Sequence, residues 1–181
     1  MTSNRYNNVS IALHWVLALA LLYQIVLGIW MLEIPKSPPG FRAEWFNWHK
    51  SIGMSLGLVI VLRVLWRIKH GAPQWPSSVP YWQKFLAKSN HAVLYGCMFV
   101  MPLTGFLGST FSPYPIKYFG IVIPKIWEAS TALKDLMSTF HFGASRIFIV
   151  AIVLHLMASL WHSLKGEGMF SRMIPGKSLK A

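Results

Sequence analysis

Four apolar stretches, each long enough to cross a bilayer, constrain this chain more than any other feature of its sequence. A helix needs about 20 predominantly apolar residues to span the hydrocarbon core. The stretches run roughly over 10–32, 45–67, 91–111 and 140–164. Composition agrees. Hydrophobic residues make up 54% and charged residues 12%, where a soluble domain carries about 25% charged. The net charge of +12 can signal nucleic-acid binding. Here, however, the basic residues flank the apolar runs as membrane anchors do, so no nucleic-acid partner is expected. Nine tryptophans suit the headgroup level, which indole rings favour.

The expected fold is therefore all-α: an integral membrane four-helix bundle formed by one domain over 1–181. The first stretch follows Arg5, lacks a small-residue cleavage site and contains a histidine, so it reads as a retained helix. The segments EIPKSPP (33–39) and GAPQWPSSVP (71–80) read as loops. The longest connection, 112–134, holds SPYPIKYFGIVIPK, where Pro and Gly exclude a spanning helix. It is expected to lie along the surface with a short interfacial helix. Lys and Arg counts set the orientation. The N-terminus, the stretch from Arg63 through the second-to-third connection and the C-terminal tail, with Lys177 and Lys180, hold ten Lys and Arg against Glu167, a net +9, and the opposite side carries +2. Both termini are thus expected in the cytoplasm, with the chain in the inner membrane.

Ionisable groups inside a membrane are costly and mark function. Six of the seven histidines fall in or at the ends of the apolar stretches; His70 is read as a loop residue. His141 and His155 lie 14 residues apart on the last helix. That is almost four turns, placing both on nearly one face about 21 Å apart along the axis. The gap is too long for one metal ion and suits two stacked haem irons. Each would need a second histidine from a facing helix. On the periplasmic side only His49 can face His141. On the cytoplasmic side both His14 and His91 can face His155, and His14 is preferred. His91 and His162 lie nearer the membrane edge, where a substrate site would be. The single cysteine, Cys97, and the absence of a C-x-x-C-H motif rule out covalent c-type attachment. Gly53 and Gly57 follow His49 on its own face, where small residues admit a porphyrin plane or a neighbouring backbone.

These pieces resemble the bacterial cytochrome b561 family, and within it the superoxide oxidase type, over nearly the whole length. The matching residues are SIALHW with His14, HKSIG with His49, VLRVLWR ending the second helix, NHAVLY with His91, PLTGF, and the last-helix His141, His155 and His162. The resemblance implies a bundle binding two non-covalent b haems by bis-histidine ligation, with ligands matching His14, His49, His141 and His155, and electron exchange with quinone.

The expected activity is a superoxide:ubiquinone oxidoreductase. Lys50 and Arg146, with Lys117, Lys125 and Lys134 nearby, would form a cationic periplasmic mouth for superoxide. His91 and His162, near Lys84 or Lys88, would serve the quinone. Arg63 and Arg67 would hold haem propionates. The rival expectation is an electron-transfer membrane anchor that links quinone to a periplasmic redox protein.

Overall fold

A computed structural model describes residues 5–37 and 40–174. Lys177, Lys180 and the two prolines at 38 and 39 lie outside the described residues. Four long helices carry the architecture: α1 (Asn8–Glu33), α2 (Phe41–His70), α3 (Tyr81–Thr110) and α4 (Thr131–Leu164). Between α3 and α4 comes a small hairpin, β1 (Ile116–Tyr118) paired with β2 (Ile121–Ile123). A 3-10 turn (Phe170–Met173) follows α4.

The helix ends follow local chemistry. Asn7 caps α1 by accepting the Ser10 N–H at 2.8 Å, and Ser130 caps α4 through Leu133 N–H. Gly71, at φ 66°, stops α2 and returns its N–H to the Arg67 carbonyl. Pro80 precedes α3.

Neighbouring helices run antiparallel. Late α1 meets early α2 where Gln24 bonds the His49 carbonyl, and early α1 meets late α2 where Arg63 bonds His14. Asn90 in early α3 reaches the Ala151 carbonyl in late α4. The interior seam holds Leu17, Leu56, Ile60, Cys97, Met98 and Phe148. Outside, large apolar side chains stand bare along the helices, among them Leu58, Leu62, Val150 and Leu160. All four helices are long and apolar enough to cross a membrane. In water such a surface would be an aggregation hazard, and in lipid it is the stable one. One end of the bundle carries both described termini and the other carries the hairpin.

Several sequence expectations need correction. α3 begins at Tyr81 rather than near 91, and α4 at Thr131 rather than near 140. Both helices continue past the apolar window into polar turns. The 112–134 connection contains the hairpin in place of an interfacial helix, and its last residues belong to α4. His70 closes α2 instead of sitting in a loop; its ring stacks on Trp66 with 4.0 Å between centroids.

The hairpin turn is Phe119–Gly120, both at positive φ (46° and 91°), as a two-residue primed turn requires. The buried Ser51 hydroxyl accepts the Phe119 N–H at 2.9 Å, and its own hydrogen faces the Asn47 and Lys117 carbonyls. Ser55 bonds the Tyr118 hydroxyl at 3.0 Å. The hairpin is therefore stitched to α2 two residues beyond His49. At the other end Trp15 donates to the Met173 carbonyl (2.7 Å), Arg5 to Ile174 (2.9 Å), and Arg172 to Gln74 (2.7 Å). The first two bonds bind the chain's two ends together over α1, and the third ties the C-terminal segment to the α2–α3 connection.

Candidate functional site

A 14-residue interval recurs on all four helices: His14 and Gly28, His49 and Arg63, His91 and Gly105, His141 and His155. Each interval is almost four turns, so both members share a face about 21 Å apart. Packing gathers the eight positions into two layers. At the hairpin end stand His49, His141, Gly28 and Gly105. At the termini end stand His14, His155, His91 and Arg63.

In the hairpin-end layer the His49 and His141 rings face each other across the bundle, with centroids 6.3 Å apart. In the other layer His14 and His155 stand 6.2 Å apart. Two imidazoles bound to opposite sides of one metal, each by a bond of about 2.0 Å with half a ring behind it, have centroids about 6.3 Å apart. Both pairs fit that spacing. His91 also meets His155, but at 5.4 Å between centroids, nearer than that spacing. Among the described residues no three His, Cys, Asp or Glu side chains converge as on a single bare metal ion.

The glycines explain how the rings are seated. A methyl group on Gly28 would lie 3.1 Å from the His49 ring, and one on Gly105 would lie 3.2 Å from the His141 ring. Each glycine thus clears room for the histidine of a neighbouring helix. Gly53 and Gly57 have other tasks: Gly53 lies against the Gln24 amide and Gly57 against Pro102. Sequence reasoning singled out Gly53 and Gly57 and missed Gly28 and Gly105. The signal that finds the latter is their 14-residue offset from His14 and His91.

Hydrogen bonds set the ring tautomers. The His141 Nδ1–H donates to the Met101 carbonyl at 3.0 Å, with Thr104 Oγ1 at 3.1 Å. The Thr104 hydroxyl spends its own hydrogen on Val100. The proton on Nδ1 leaves Nε2 as the lone-pair nitrogen, the arrangement a metal-ligating histidine needs. His14 is arranged oppositely. Its Nδ1 lies 3.0 Å from Arg63 Nη2, and a guanidinium only donates, so Nδ1 accepts there. The His49 Nδ1 is buried with no protein partner among the described residues.

The remaining sequence candidates are spread out. Lys50 is half-buried beside His49, with no acceptor bonded to its ammonium among the described residues. Arg146 is exposed on α4, its guanidinium 4.5 Å over the Phe142 ring. Lys134 pairs with Asp135 at 3.1 Å, which weakens its part in a cationic mouth. Arg67 bonds the Gly71 carbonyl and stacks over Tyr6, apart from the histidine pairs. His91 and His162 are not brought together: His91 faces His155, whereas His162 pairs with Glu167 beyond the end of α4.

The sequence model described as prokaryotic cytochrome b561 matches residues 5–176. Cytochrome b561 homolog 2 of Escherichia coli (strain K12) is 31% identical over 98% of this chain and 94% of its own length. Cytochrome b561 homolog 1 of the same organism is 23% identical over 95% of this chain and 98% of its own.

Proposed function

The chain belongs to the prokaryotic cytochrome b561 family, and from that premise we propose that it is a superoxide:ubiquinone oxidoreductase of the bacterial inner membrane with two b haems. It is a membrane electron-transfer protein by family; the donor, the acceptor and the ligand set are this proposal's content. The observation that supports it best is the pair of cross-helix histidine contacts, 6.3 and 6.2 Å between centroids, in two separate layers. His49 and His141 would hold one haem, and His14 and His155 the other. Bound there, haem would supply iron that accepts and releases one electron at a time.

The termini end is assigned to the cytoplasm from the Lys and Arg distribution, so the hairpin end faces the periplasm. Two superoxide ions would each give up one electron outside and leave as dioxygen. One quinone would gain both electrons and two protons inside. Lys50 offers an ammonium next to His49 that is unpaired among the described residues, and Arg146 with Lys117 and Lys125 adds positive field. Such a field draws a small anion toward the hairpin end. At the inner layer, ligation by His14 Nε2 requires a proton on Nδ1. Arg63 must then release that nitrogen, which frees its fork for a haem carboxylate. His91, beside His155, would hold a quinone oxygen, and His162, backed by Glu167, would relay protons to the quinone from the end of α4.

Rapid mixing of the oxidised protein with superoxide tests the reading. Fast haem reduction is expected. Lys50→Glu should slow it about tenfold at low ionic strength, with the difference shrinking as salt rises. His162→Ala should slow quinone reduction by roughly 10²-fold, the scale of lost proton transfer, and leave the visible spectrum unchanged. A purified protein without haem bands would sink the proposal altogether. Haem reducible by quinol but not by superoxide would leave the anchor for a periplasmic redox partner.

A further inference from the structure

Gln24 is a polar residue in the middle of the most apolar helix, and it is 7% exposed. An amide at that depth must find partners or cost several kcal/mol. Half of it does: Nε2 donates to the His49 carbonyl at 2.8 Å. That approach is open because residue 53 is glycine; a methyl group there would sit 3.3 Å from Nε2. The other half does not: Oε1 is buried with no protein partner among the described residues.

The same seam holds a second orphan. His49 Nδ1 is also buried and unpartnered, and it would lie 3.7 Å from a methyl on Gly28. Gln24 precedes Gly28 by four residues and Gly53 follows His49 by four. In antiparallel helices both steps lead one turn inward, about 6 Å. An unfilled acceptor and an unfilled ring nitrogen therefore share one turn of the α1–α2 seam. Buried polar atoms left over in this way are commonly satisfied by one internal water. His141 shows what the counterpart lacks, since its Nδ1–H is held directly by the Met101 carbonyl.

We propose that Gln24 is the positioning residue of His49. Its amide nitrogen fixes the His49 backbone, and its carbonyl oxygen accepts the Nδ1–H through one bridging water. This link selects the tautomer that points the Nε2 lone pair at His141, and it makes the ring a stronger electron donor to whatever Nε2 binds. The inference rests on the haem reading above and adds a residue to it.

The test is potentiometric titration of the purified protein with two variants, together with the ferric EPR signal of each haem. Gln24→Leu keeps the bulk and removes the acceptor. It should shift one midpoint upward and leave the other in place, with both haems retained. Gln24→Glu restores an acceptor oxygen, now on a more basic group, and should bring the same midpoint below its original position. A residue that merely fills space would give no shift with leucine. Unmoved midpoints and EPR signals in both variants would overturn the proposal. If Gln24→Leu fails to assemble, Gln24→Glu decides alone: a midpoint at the wild-type position overturns it. Neither measurement uses superoxide or quinone, so a failure here is separate from a failure of the proposed activity. Wild-type protein lacking haem would end both.

Discussion

Gly28→Leu is expected to strip the protein of the haem assigned to His49 and His141, although it alters neither ligand. A single methyl at this position already lies 3.1 Å from the His49 ring, and leucine adds three further carbons to that seam. Overfilling a packed site costs about 1–3 kcal/mol and forces neighbours off their rotamers. The neighbour here is the ring whose placement sets the 6.3 Å spacing to His141. A metal site displaced by about 1 Å loses its preorganisation. Haem content should fall from two per chain to one, with helical circular dichroism retained. Gly105→Leu should do the same through His141, because its methyl would lie 3.2 Å from that ring. Gly143→Leu is the control, since nothing lies within 4 Å of a methyl there. Full haem loading in both Gly28→Leu and Gly105→Leu would show that the glycines do not seat the rings.

The termini-end layer should separate two histidines that sequence alone left in competition. His14→Ala is expected to lose one haem, and His91→Ala to keep both. The physical reason is distance. The His14 and His155 centroids are 6.2 Å apart, the spacing two imidazoles on one metal would need, and His91 stands closer, at 5.4 Å. At that shorter spacing the two rings would have to part before a metal could sit between them. His91→Ala should instead slow quinone reduction with the bands unchanged. The pyridine haemochrome assay counts the haems, and quinone-driven reoxidation reads the second effect. Two haems in His14→Ala, with one in His91→Ala, would reverse the assignment.

The four helices were legible because each carries an apolar run long enough to span. Their starts were not. Residues 81–90 (YWQKFLAKSN) and 131–139 (TALKDLMST) mix charges into a helical pattern, so hydropathy falls before the helix does. The hairpin was hidden for a different reason. Its strands are three residues each, and its turn places Phe119 at positive φ, which a bulky side chain rarely adopts. What holds it is Ser51 on another element, a contact no local pattern announces. In the site, the His141–His155 interval was read from one helix. The same interval on the other three passed unread, because in two of them one member is glycine and in the third it is arginine. Gln24 was visible as a lone amide in an apolar helix, but its partner lies on α2. Only packing could connect them.

The spacing between the two layers has an electrical consequence. About 21 Å of separation covers about two thirds of a hydrocarbon core of about 30 Å. An electron carried inward from one layer to the other would cross that share of the membrane voltage. Each elementary charge moved through a full 100 mV costs about 2.3 kcal/mol, so the step would cost about 1.5 kcal/mol in a cell that is negative inside. If electrons take the proposed route, the interval of fourteen residues would make the reaction answerable to the energised state of the membrane: respiration would hold the inward electron flow back, and its collapse would let it run.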